Sequence, residues 1–149
     1  MSPELEMAQK LPHQYDGEIE IFIEFPKTFD GDKEFLSFTG ESGVNGFYRN
    51  DPVAVEFLTG AVSGNVVSPP QGFPGDAADE TKEAFEVFSG EIRGEADCLR
   101  QSDVERRLLH HQITTEQLNP ILQSALAVLA RLTENYGSDC RLVFWLHDA

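Results

Sequence analysis

Positive charge is what this sequence has least of. It carries 11 Lys and Arg against 26 Asp and Glu, a formal net charge of −15. Affinity for a phosphate backbone comes from cationic side chains that displace counterions, so direct nucleic-acid binding is not expected. Docking on an anionic membrane surface is disfavoured for the same reason. Cysteine is scarce too: Cys98 and Cys140 stand far apart, in no metal-ligand spacing. That usage points to a reduced, cytoplasmic setting, with a single disulfide between the two left open. The longest apolar stretch, residues 124–130, is far too short to span a bilayer. Residues 1–15 carry Glu4, Glu6 and Lys10 and lack the apolar centre of a secretion signal. Phosphate-binding glycine loops, G-x-S-x-G elbows and H-E-x-x-H are all missing. No catalytic residue, metal ligand or cofactor site is therefore assigned.

What is present suits one folded domain. The chain has 149 residues, 40% of them hydrophobic, with 11 Phe and one Trp as large core pieces. A chain of this size buries enough surface to need no metal or disulfide staple. Residues 1–17 form a polar lead-in, and residues 18–149 one α+β domain interrupted by an irregular Pro/Gly loop at 63–79. Within the lead-in, residues 3–10 could make a short helix.

Residues 18–25 alternate strictly. Ile19, Ile21, Ile23 and Phe25 fall on one strand face, and Glu18, Glu20 and Glu24 on the other with Phe22. The apolar face belongs to the core. The glutamate face is expected to be solvated or to meet a partner, its carboxylates spaced about 7 Å per step of two. Pro26 closes this strand, and Asp30-Gly31 turns the chain into a second strand at 34–39. A third strand follows at 44–49, which gives an antiparallel meander.

Asp51-Pro52 reads as a helix cap followed by proline at the first helical position. A short helix carrying Val53, Val55, Phe57 and Leu58 follows, with a strand over 53–58 as its rival. In the acidic run 76–97, Phe85, Phe88 and Ile92 have helical spacing. Gly90 and Gly94 favour instead a hairpin joining 84–88 to 91–98. Ser102 caps a helix to about His110. Asn119-Pro120 opens the most secure helix, residues 121–136, with Leu122, Ala125, Leu126, Leu129 and Leu132 on one stripe and Gly137 as its stop. Residues 140–147 make a strand apolar on both faces, which places it centrally in the sheet. The fold expected is α+β: an antiparallel sheet of the three-strand meander plus the C-terminal strand, packed by the long buried C-terminal helix and one or two short helices.

Candidate chemistry is thin. His110 and His111 are neighbours, pointing about 100° apart on a helix, and suit the negative end of the helix dipole better than a metal. Cys98 or Cys140 paired with His111 or His147 is outweighed by buried structural cysteine. Asp30, Asp32 and Glu34 lie close together but lack the twelve-residue calcium-loop pattern. The charge surplus suits a basic protein partner steered in by the field. Its contacts are expected at Glu18, Glu20 and Glu24 and at Glu80, Glu83, Glu86, Glu91, Glu95 and Asp97, with Phe73 as an apolar anchor at the tip of the loop. The function expected is an acidic interaction module that masks a basic partner, of the immunity, inhibitor, nucleic-acid-mimic or secretion-chaperone type. The alternative is a small enzyme or ligand-binding domain with a pocket between the sheet and the 121–136 helix.

Overall fold

Strand β1 (Gly17–Phe29) forms the axis of the fold. The structure is a computed structural model that describes residues 16–62 and 65–147. The lead-in up to residue 15, with its suggested helix, lies outside the described residues. Strand β2 (Asp32–Ser37) returns along the C-terminal half of β1 through a tight turn. Asp30 and Gly31 both take positive φ there, 49° and 87°, the conformation whose twist matches a two-residue hairpin. Strand β3 (Val44–Tyr48) then pairs with the N-terminal half of β1. The three strands are therefore not the expected meander, because β2 and β3 share one edge of a 13-residue strand. β1 is long enough to seat both, and residues 38–43 only carry the chain from one half to the other.

Pro26 does not close β1. It pairs with Phe35 inside the β1–β2 ladder. Phe38 donates to the Ile23 carbonyl, so odd-numbered residues of this stretch bond toward β2. The N–H that Pro26 lacks points the other way, past Glu24–Arg141, where pairing with the neighbouring strand has already ended. A proline there removes no ladder bond.

Helix α1 (Pro52–Thr59) is capped by the Asp51 carboxylate, which accepts from the Ala54 N–H at 3.1 Å. It stops at Gly60, whose φ of 70° is left-handed. The two-residue strands β4 (Ala61–Val62) and β5 (Asn65–Val66) lead into the Pro/Gly loop. Residues 79–88 are helical, α2 (Asp79–Phe88), and not the first arm of a hairpin. Thr81, Ala84, Phe85 and Phe88 share its inward stripe, a period of 3.6 that packing against the sheet rewards. Gly90 and Gly94 act after the helix. Gly90 lies in its exit, and Gly94, with φ 73°, sits in a bulge of strand β6 (Ile92–Arg100). Helix α4 (Pro120–Tyr136) follows its predicted boundaries to within a residue, whereas α3 (Gln101–His111) begins two residues earlier than expected, its N-cap being Arg100 and not Ser102; strand β7 (Arg141–His147) is central as expected. The main path is β2-β1-β7-β6, with β3 also on β1, and every pair is antiparallel. No helix among the described residues is long and apolar enough to cross a membrane.

Both faces of this sheet are covered. On the first, Ile19, Ile21, Ile23, Leu142, Phe144 and Leu146 pack against the α4 stripe and against Phe57 and Leu58 of α1. Burying a Leu, Ile or Phe side chain contributes about 1.5–3 kcal/mol, so this layer is the main source of stability. Gly46 lets α4 approach, since a Cβ there would strike Ile121. On the second face, Phe22, Val143 and Trp145 form a smaller core closed by Phe73, Phe85 and Phe88. This second layer decides where the predicted contact residues end up.

Candidate functional site

The glutamate row of β1 lies under α2, not in solvent. Glu24 is wholly buried and Glu20 nearly so, while Glu18 keeps partial exposure. A carboxylate can sit there only if its charge is met, and β7 supplies the partners from opposed positions.

Glu24 faces Arg141 across the ladder. Its Oε1 accepts from Arg141 Nε at 2.8 Å. Its Oε2 accepts from the Ala78 N–H at 2.8 Å and from Thr81 Oγ1 at 2.6 Å. Ala78 is the N-cap of α2 and has no capping side chain of its own. Glu24 thus reaches the cap N–H from the sheet, as a capping-box glutamate does from within a helix. The Arg141 guanidinium lies 3.6 Å from the Phe35 ring centroid and also meets Asp76 at 3.0 Å. This network joins β1, β7, β2 and the start of α2.

At the other end of the row, His147 stands between two carboxylates. Nε2 is 3.2 Å from Glu20 Oε1 and Nδ1 is 3.3 Å from Glu18 Oε2. Phe88 stacks on the imidazole with centroids 4.5 Å apart. Burial pushes the Glu20 carboxyl above its ordinary 4.5, and the bonds from His147 and Asn45 only partly oppose it. Folded Glu20 therefore holds its proton to higher pH than the unfolded chain does. Stability falls as pH rises from about 4.5 through the raised folded value, because the ionised form is the one that burial penalises. Glu20→Gln removes this loss. Urea midpoints at pH 4 and pH 7.5 should show the variant gaining on the parent at the higher pH. A difference that ignores pH, or runs the other way, would contradict the assignment.

Asp97, also predicted to meet a partner, is buried in a second ion pair. Its Oδ2 is 2.7 Å from Arg107 Nη2 of α3, and its Oδ1 accepts from the Gln71 and Cys98 N–H groups at 2.7 Å each. Arg107 also donates to the carbonyls of Phe57 and Leu58 and to Ser68. The pair pins the Pro/Gly loop against α1 and β6. Phe73 is accordingly not an exposed tip. It is half-buried and stacked on Phe85 with centroids 4.1 Å apart.

Neither thiol is poised as a nucleophile. The cysteines are free and lie against opposite faces of the sheet, so the disulfide left open by the sequence does not form. Burial pushes the Cys98 thiol up to about 12, and the Cys140 thiol, also raised, donates to the Leu132 carbonyl. His111 bridges the Arg107 and Ala61 carbonyls through its two ring nitrogens. Among the described residues, no group of three or more metal-ligating side chains comes together. Where the alternative reading placed a pocket, the α4–sheet interface is filled by buried Leu122, Ala125, Leu126 and Leu129.

What remains on the surface is the second acidic set. Asp79, Glu83 and Glu86 share the outward stripe of α2 at i, i+4 and i+7, all exposed. Asp76, Glu91 and Glu95 are exposed on either side, and Glu80 is half-buried. Over residues 76–95, Lys82 is the one exposed cation, because Arg93 is half-buried and its Nη1 donates to the Asp16 carbonyl. An open cleft of about 320 Å³ runs between β2 and the start of α2, edged by Glu34, Asp76, Asp79, Lys33 and Lys82. A second groove, about 350 Å³, lies beyond the end of α2 over the β6 bulge. Sequence reasoning missed Arg141, Arg107 and His147 as partners of the buried acids. The signal available was their placement in, or beside, otherwise apolar segments.

Comparison with protein-family models, with curated proteins and with solved structures found no match for this chain.

Proposed function

We propose that this chain is a non-catalytic interaction module that binds and masks a basic protein through the outer face of α2 and the turns flanking it. The observation that supports this reading is the separation of two kinds of carboxylate. Those the fold encloses, Glu20, Glu24 and Asp97, are buried beside cationic or imidazole groups. Those of α2 and its flanks stay in water on one element, opposed there by one exposed lysine. Among the described residues, the interior holds three carboxyl groups and two guanidiniums, so burial takes up at most one net negative charge of the surplus. Such a field speeds encounter with a basic partner and repels an acidic one. An immunity or inhibitor protein, a mimic of nucleic-acid charge and a secretion chaperone would each use this mechanism.

The test compares two neutralised variants. One carries Asp79→Asn, Glu83→Gln and Glu86→Gln on α2. The control carries Asp30→Asn, Asp32→Asn and Glu41→Gln, exposed at the β1–β2 turn and in the connection after β2. Each is used to capture proteins from the native host at low and high salt. A basic protein held by the parent and the control at low salt, released by high salt and lost by the α2 variant, is the expected result. Equal loss by both variants, or no basic protein held at all, refutes the proposal.

A further inference from the structure

We infer that the groove beyond the end of α2 receives an arginine side chain of the basic partner. The inference rests on the proposed function and adds to it a position and a residue type. The groove holds about 350 Å³, at the lower end of the volumes that accommodate a small ligand, and it is open to solvent. Its lining includes Phe73, Phe85, Ile92 and Ala96, with Glu95 as the one charged side chain and Ser89 at the helix end.

Three features of this lining favour a cation with a flat, weakly hydrated head. The first is the Phe73–Phe85 stack, half-buried, with centroids 4.1 Å apart and planes within 22°. Each ring turns one face to the other, so the stack offers the groove apolar surface, which the methylene stem of a long cationic side chain covers. The second is Glu95, which the β6 bulge turns outward. Between Arg93 and Asp97 the register with β7 shifts, and Gly94 takes φ 73°, leaving Glu95 exposed beside the rings. A carboxylate there can accept a guanidinium in the planar two-bond geometry that an ammonium cannot match. The third is the negative end of the α2 dipole. The last turn of α2 contains no Lys, Arg or His, so no cation within the helix offsets this end, although Ser89 and Glu91 donate to the carbonyls of Glu86 and Phe88. Glu86 and Glu91 deepen the same potential.

The geometry also explains why the groove and the α2 stripe act together. A partner lying along Asp79, Glu83 and Glu86 reaches the helix C-terminus within one further turn. The groove then supplies the apolar contact that an exposed acidic stripe lacks. Rim carboxylates set encounter rate and orientation, whereas an arginine seated in a pocket carries binding energy.

The test titrates the isotope-labelled full chain with hexa-arginine and, separately, with hexa-lysine at low salt, following backbone amides by NMR. Saturable shifts at Gly72, Gly94, Glu95 and Ala96 with hexa-arginine, and weaker binding of hexa-lysine, are expected. Glu95→Gln, an exposed substitution, should lower the hexa-arginine affinity about fivefold. If amides of Asp79, Glu83 and Glu86 move while the groove stays silent, the arginine site is wrong and the basic-partner reading stands. If hexa-lysine matches hexa-arginine at the groove, or Glu95→Gln changes nothing, the arginine assignment also falls. If neither peptide binds, or shifts spread evenly over all exposed acids, the basic-partner reading falls with it.

Discussion

Arg107→Met should cost the fold about 3–5 kcal/mol, measured by urea unfolding against the parent. The side chain is almost completely buried, and five of its hydrogen bonds end on Asp97, Ser68 and the carbonyls of Phe57 and Leu58. Removing it strands the Asp97 charge in the interior and leaves the two α1 carbonyls without that donor. Domains are stable by only about 5–15 kcal/mol, so a single change of this size takes much of the margin. The double variant Arg107→Met with Asp97→Asn should cost less than the sum of the two single changes. Removing both ions relieves the stranded charge, and that coupling isolates the pair from simple loss of packing. The loop should respond as well. Gln71 is held through the Asp97 carboxylate and Ser68 through Arg107, so proteolytic cleavage within residues 68–75 should accelerate in Arg107→Met. A cost below about 1 kcal/mol, the range of an exposed ion pair, would show that Asp97 is not locked inside.

Glu24→Ala is expected to be comparably severe, again about 3–5 kcal/mol. It leaves Arg141 without its buried counter-charge and orphans the Ala78 N–H and the Thr81 hydroxyl. The matching control is Glu83→Ala on the outward stripe, which should change stability by no more than about 0.5 kcal/mol. Amide hydrogen exchange localises the effect. Protection in α2 should fall first in Glu24→Ala, because that carboxylate is what ties the start of the helix to the sheet. A nearly neutral Glu24→Ala would return this residue to the surface role that its alternation suggests. The two results together separate fold-bearing acids from those free to meet a partner.

Much of the architecture is legible in the sequence. The Asp51-Pro52 and Asn119-Pro120 caps, the five-residue apolar stripe of α4, the period of two in β1 and the two apolar faces of β7 all describe what was found. Each is a local pattern, written within one element. The errors share one cause. The glycines of 84–98 by themselves favour a hairpin, and only the sheet beneath Phe85 and Phe88 favours the helix. The Pro and Gly neighbours of Phe73 suggest an exposed tip, yet a ring delivered by α2 covers it.

Of the candidate contact residues, the sequence alone determined which belong together: Glu18, Glu20 and Glu24 on one strand face, and the carboxylates of 76–95 in one run. Tertiary structure alone decided which of them meet water. A period of two states that side chains share a face, but the cover over that face comes from residues 50 or more positions away, as Ala78 and Thr81 do for Glu24. Charge behaves the same way. Composition fixes its total, and only the placing of Arg107, Arg141 and His147 settles how much of it the interior can hold.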